Sequence, residues 1–358
     1  MSLASPLAHI RQLCSLDVGS RLIVPAVMAA LKSFVPHSLG AFFWADAEGK
    51  IFATSTSEPG TQIRAGHWAT KFARRPRGTK SWPSFAELIQ GRRTCVVDFA
   101  ACERDFLRCD LYRKLLRPAG VSRLVASPVI AASGRTGILA LLRSGYDRPF
   151  GQEDSRRLTQ VLPELATALD QRHGEHEFVD DDDGDGLLIA DLDGKLRHTC
   201  ARGRELLHMA ACPDELHRNA LRAAEIDLLT RIACLSHRPG NRNDAVAAPP
   251  IAIENEWGRF QLRGSLLRAG ADGADKVGIR IRRSIPAALK MARMVDGFRL
   301  SPRQRQLALL LGCSLHNDTI ADRLGLRPST VATMVKDVYE RIGVNSRQAL
   351  RELLLRAA

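Results

Sequence analysis

Helix start and stop signals recur at short intervals over the last sixty residues, and they constrain that stretch more tightly than anything else in the chain. Ser301-Pro302-Arg303-Gln304 has the form of a capping box, with Ser at the N-cap, Pro in the first turn and Gln three residues after the Ser. Leu307, Leu310 and Leu311 then share one face, and Gly312 is expected to end the helix. Asn317 is expected to cap a second helix, Asp318–Leu324, with Ile320, Ala321 and Leu324 turned inward and Gly325 as a left-handed stop. Pro328 opens a third helix reaching Ile342, with Val331, Val335, Val338 and Ile342 inside and Gly343 beyond its end. Ser346 caps a fourth, carrying Leu350, Leu353 and Leu354. A short glycine turn between the second and third helices makes a helix-turn-helix.

Charge follows the same division. Residues 298–358 hold ten Lys/Arg and five Asp/Glu, a net of +5 over 61 residues. The whole chain is +13, so the other 297 residues carry +8. The C-terminal segment is about three times as positive per residue, the footprint of a small nucleic-acid-binding domain. On the third helix Ser329, Thr330, Thr333, Lys336 and Asp337 fall on the outward face. Hydroxyls and backbone N–H groups at a helix N-terminus suit phosphate oxygens, and a Lys farther along can reach a guanine edge.

A chain of 358 residues has room for two or three domains. The first block, 1–176, reads as a helix over Arg21–Phe34, a hairpin of Leu39–Ala45 and Lys50–Thr56, a strand at Thr94–Phe99, a hairpin of Ser122–Ala131 and Arg135–Leu142, and a helix from Gln152 to His173. The second, 180–290, has an early hairpin, Gly186–Ala190 with Lys195–Thr199, a helix over Arg202–Ala211, and a late hairpin, Gly258–Arg268 with Lys276–Arg283, turned at Gly270-Ala271-Asp272-Gly273. The third runs 296–358. The expected fold class is therefore multidomain α+β, two α+β sensor-sized domains followed by an all-α four-helix domain.

The C-terminal segment resembles the LuxR/NarL-type helix-turn-helix family, through Leu300–Gln306, Asn317, Ile320–Leu326, Pro328–Val331, Tyr339, Gly343-Val344 and Ser346-Arg347. The resemblance implies that the third helix reads DNA and that the fourth often carries a dimer contact. It makes Thr333 and Lys336 candidates for base reading, and Arg327, Ser329, Thr330 and Arg347 candidates for phosphate contact. Departures are Ala332 and Met334, where the family has Lys and His, Asp318 in place of a basic residue, Arg327 in place of a capping Ser, and Gln304 and Gln306 in place of Glu. These imply an unusual or weakened target. The first block resembles a GAF-type sensor in element order, and the second a reduced PAS-type domain.

Other features point less sharply. No phosphate-binding loop, nucleophile–base pair or metal-ligand array is present in the sequence, so an enzyme and a cofactor are not expected. The eight cysteines form no C-x-x-C pair and read as reduced thiols, with Cys95, Cys102 and Cys109 as a regularly spaced alternative for redox sensing. The basic stretch Thr61–Arg93, with Trp68, Phe72 and Trp82, reads as a surface loop anchored by aromatics or as an anion site. Asp180–Asp183 reads as a hydrated linker, and His173 and His176 as a fraying helix end. No leader or spanning segment is apparent, so a cytoplasmic location and no membrane partner are expected. The expected function is a DNA-binding transcription regulator, dimeric on a two-fold site in double-stranded DNA. The small-molecule or protein signal it answers is unspecified, and RNA polymerase is a further partner. The alternative is a signalling or scaffold protein whose helix-turn-helix serves dimerisation.

Overall fold

The computed structural model describes residues 6–16, 18–56, 80, 82–171, 176–211, 225–233, 250–255, 257–269 and 274–356. Residues 61–79 and Ser81 of the basic stretch, the turn at Gly270–Gly273, His173, Cys212 and Cys234 lie outside them.

The first block is built around one antiparallel sheet of β1 (Leu39–Ala45), β2 (Ile51–Thr56), β3 (Cys95–Asp98), β4 (Val121–Ile130) and β5 (Thr136–Ser144), in the order β2-β1-β5-β4-β3. Its central strands are buried on both faces, and so read as near-continuous apolar runs. Phe42, Trp44, Leu139 and Leu141 face α1 (Pro6–Cys14), α2 (Ser20–Phe34) and α5 (Gln152–Asp170). Phe43, Ile138, Ala140 and Leu142 face a second cluster containing α3 (Phe85–Gly91) and α4 (Arg104–Arg108). Trp82 belongs to that cluster, stacked on Phe106 at 5.4 Å and almost wholly buried, so it is a core anchor of the basic stretch. A buried bidentate pair near the end of the central strand, Arg143 with Asp154 at 3.0 Å through both nitrogens, fastens β5 to the start of α5.

The second sheet repeats the arrangement. Strands β7 (Gly186–Asp191), β8 (Leu196–Thr199), β9 (Ile251–Asn255), β10 (Gly258–Leu267) and β11 (Lys276–Pro286) run in the order β8-β7-β11-β10-β9, the same permutation as the first. Its burial differs: β10 alternates strictly between buried and exposed residues, so only one face is covered. That face packs on α6 (Ala201–Ala211) and α7 (Ala287–Asp296). The blocks meet where Trp257, at the β9–β10 turn, packs edge-on to Trp44 at 5.8 Å, with the Arg21 guanidinium 5.8 Å from its ring.

The acidic run is the main correction to the sequence reading. Phe178–Asp180 forms a strand, β6, paired with the end of β11, and Asp181 is a buried hub and no part of a hydrated linker. Its carboxylate, 1% exposed, takes Arg202 of α6 at 3.2 Å, Arg283 of β11 at 3.3 Å and Arg293 of α7 at 3.3 Å. Arg283 also donates to the Trp257 carbonyl at 2.8 Å. Burial pulls Arg283 down to about 10, a value at which it stays charged at neutral pH, and Asp181 opposes that shift. Asp182 holds Lys290 of α7 at 2.6 Å.

Removing one partner of a buried pair leaves the other charged and unsolvated. Asp181→Ala is therefore expected to lower stability by about 3–5 kcal/mol, read as a drop in the urea midpoint. His208 in α6 gives a pH test. Burial, aided by the charge of Arg204, pushes its pKa down from 6.5 to about 4. The unfolded chain then binds a proton that the folded chain refuses, so stability is full above pH 6.5 and falls as pH drops toward 4. The slope from this group is at most about 1.4 kcal/mol per pH unit. His208→Gln should flatten the difference in unfolding free energy between pH 7 and pH 5.

Candidate nucleic-acid interface

Four helices form the C-terminal unit: α8 (Pro302–Gly312), α9 (Asn317–Leu324), α10 (Pro328–Ile342) and α11 (Arg347–Leu355). The capping box at α8 is complete: Gln304 N–H donates to Ser301 Oγ at 3.3 Å, and Ser301 N–H to Gln304 Oε1 at 3.0 Å. Gly325 (φ 60°) and Gly343 (φ 82°) take the left-handed conformation. Gly325 N–H reaches the Asp322 carbonyl and Leu326 N–H the Ala321 carbonyl, a Schellman closure that fixes the α9–α10 turn. Ser346 caps α11 by accepting from Ala349 N–H at 3.1 Å.

Two punctuation marks have other uses. The N-cap of α9 is His316, and Asn317 lies in the helix. The left-handed residue after α8 is Ser314 (φ 61°), whereas Gly312 is the last helical residue. A Cβ on Gly312 would sit 2.7 Å from Met291 Sδ and 3.3 Å from a Leu354 methyl, so glycine is there to let α7 and α11 close on α8. Val331 and Val338 are fully buried; Val335 and Ile342 are half-buried beside them.

Arginines close the open ends of these helices, a role invisible to a charge count. Arg347 donates to the Leu315 carbonyl at 2.6 Å and to Asn317 Oδ1 at 2.8 Å. Arg351 donates to the Gly312 carbonyl at 2.6 Å, and Arg303 to the Leu324 carbonyl. Gly312 and Leu324 end their helices, where carbonyls have no partner within the helix, and Leu315 lies in the turn between α8 and α9, so these contacts satisfy groups that would otherwise need water. Arg347, a candidate for phosphate contact, is thereby placed as a strut between α11 and the start of α9. The signal that could have found this was geometric: a long donor following a cap, opposite a helix end.

The other candidate residues come together on α10. Arg327, Ser329, Thr330, Thr333 and Lys336 are all exposed. The helix has 15 residues, about 22 Å long. Arg327 is its N-cap and supplies no side-chain acceptor to the first turn. The first N–H groups are thus offered to an outside anion, with the positive end of the helix dipole behind them. Thr333 Oγ1 donates to the Ser329 carbonyl at 3.2 Å, leaving its lone pairs outward. Acidic residues enter only farther along: Asp337 and Glu340 are exposed in the second half of α10. There they are matched by Lys336 and Arg341, so the second half of the helix is mixed in charge, whereas its N-terminal half carries no acid.

The unit is docked on the rest of the chain by the side opposite this face. Helix α7 packs on both α8 and α11. Asp296, at its end, bonds Arg305 of α8 and lies 3.5 Å from His9 of α1, while Arg351 of α11 pairs with Glu177, just before β6. Because Gly325 is left-handed with nothing within 4 Å of an added Cβ, Gly325→Ala isolates the backbone strain. It should cost about 1–2 kcal/mol in thermal or urea unfolding.

Comparison with known proteins bears on this segment. No curated protein matches the chain. Among solved structures, the phycoerythrobilin-bound GAF domain of a cyanobacterial phytochrome aligns with 15% identity over 48% of this chain and 95% of its own, at a TM-score of 0.32. Escherichia coli SdiA aligns with 9% identity over 94% of this chain and 90% of its own, at 0.29. The Escherichia coli DhaR(N)–DhaL complex aligns with 13% identity over 73% and 86%, at 0.26. Scores at this level establish no shared fold. The family model for bacterial regulatory proteins of the luxR family, GerE, matches residues 299–354. The four-helix unit at the end of this chain is thus a luxR-family helix-turn-helix domain.

Proposed function

We propose that the chain is a sequence-specific, DNA-binding transcription regulator whose two α+β blocks control the placement of its helix-turn-helix. The observation that carries this is the exposed row Ser329, Thr330, Thr333 and Lys336 on a helix with an open N-terminus, inside the luxR-family match. Thr333 and Lys336 read base edges; Arg327, Ser329 and Thr330 hold phosphates. The partner is double-stranded DNA, bound by two copies on a two-fold site. The sensor reading of the N-terminal blocks is supported by their shared strand order and by α7, which is common to the second core and the DNA-binding unit. A signal that shifts α7 moves the unit packed on it, and so biases how two such units are presented.

A specific observation favours the second reading, a unit that pairs subunits without reading sequence. Asp318 is exposed in the first turn of α9, where a helix-turn-helix crosses the phosphate backbone, and Ala332 removes a cation from α10. Selection from randomised duplexes at two salt concentrations separates the two readings. A two-fold motif, with Lys336→Ala weakening binding by about 1–3 kcal/mol and relaxing one position, supports base reading. Salt-steep binding without a motif supports the pairing unit. Asp318→Asn should tighten binding about equally on every duplex without changing the preferred sequence.

A further inference from the structure

Among the described residues nothing covers the outer face of the second sheet, and its cross-strand pairs are unusual. In the β10–β11 register Arg263 stands directly opposite Arg280, and Gln261 opposite Arg282. These four side chains line a shallow, open cleft of about 90 Å³. Like charges directly opposed across two strands weaken a sheet, so the pair needs either compensation within the fold or a ligand. Compensation is uneven. Arg282 is held by Asp185 at 3.1 Å and Asp180 at 3.0 Å. Among the described residues Arg280 has a single ion pair, from Nε to Asp185 at 3.4 Å. The Arg263 side chain has no hydrogen bond or ion pair among the described residues, and neither has that of Gln261. On the far side of Arg280, Leu187 of β7 is its register partner and is 60% exposed.

We propose that this cleft binds a small molecule through a doubly charged oxyanion group of the phosphoryl type. The guanidiniums of Arg263 and Arg280 form the fork, and the Gln261 amide is a third donor. Planar guanidiniums recognise such groups in bidentate fashion, and a dianion balances the two facing charges. Leu187 offers apolar contact to whatever carries the group. A second copy of the same face is a poor occupant, because it would set arginine against arginine. The site is on the opposite side of the sheet from α6 and α7 and does not rest on DNA reading.

The test is thermal melting of the full chain in rising inorganic pyrophosphate, with chloride adjusted to keep ionic strength constant. A ligand that binds the folded state raises the melting temperature in a saturable way. Arg263→Gln and Arg280→Gln should each weaken the apparent affinity tenfold or more, and Lys336→Ala should leave it unchanged. Without pyrophosphate, Arg263→Gln should melt at the same temperature as the parent or higher, because it removes a repulsion. No saturable rise overturns the proposal, as does a rise kept in Arg263→Gln or lost in Lys336→Ala, which would put the anion on α10. A lower melting temperature of anion-free Arg263→Gln also overturns it, by making the arginine part of the fold. Saturation by an acidic peptide but not by pyrophosphate overturns it in favour of protein docking. Failure of the DNA selection leaves every one of these readouts intact.

Discussion

The Asp181 carboxylate, cut off from water, receives guanidiniums from a helix, a strand and a second helix at 3.2–3.3 Å. One anion among several cations is tolerable in a poorly solvated place only because the network is balanced: Asp183 and Glu205 also take Arg202, and Asp182 takes Lys290. The geometry of the second block follows from this. Strand β6 is held at the end of β11, α6 is fixed over the covered face, and α7 leaves the sheet in a set direction. Since α7 then forms the floor under α8 and α11, the position of the helix-turn-helix unit is inherited from a charge network remote in sequence from it.

The two sheets show how one strand order serves different surroundings. In the first, helices cover both faces, and β1 and β5 carry polar residues only at the ends of β5. In the second, one face is left to solvent, and the alternation of β10 records it. The hairpins at 39–56, 121–144, 186–199 and 258–286 match expectation to within a few residues. What was not legible were the elements whose partners are distant. β6 and the acidic run read as a linker because like charges in sequence suggest a solvated strand, yet their counter-charges come from Arg202, Arg283, Lys290 and Arg293. Helix α7 was missed for the same reason: two of its ten residues are cations turned inward to those carboxylates, which spoils the apolar period.

At the candidate interface, local chemistry was readable and long-range chemistry was not. Caps, left-handed glycines and the outward row of α10 depend on residues within one turn of each other, so spacing revealed them. Arg303, Arg347 and Arg351 look like three more charges for DNA, but each is anchored to a carbonyl between 21 and 39 residues away. Gly312 was read as a stop because stops and close contacts use the same residue, and only the position of Met291 tells them apart.

That contact also governs how the protein can be cut. A fragment beginning at residue 298 would contain the whole luxR-family match, yet it would lose Met291 and the rest of α7, uncovering the seam between α8 and α11 at Gly312 and Leu354. The exposed seam would be apolar and grooved, a surface that finds a substitute by self-association. A dimer of such a fragment would then report the missing helix and say little about how whole chains pair. The smallest faithful unit starts before Ala287, and it brings with it the arginine and lysine that α7 owes to the acidic hub.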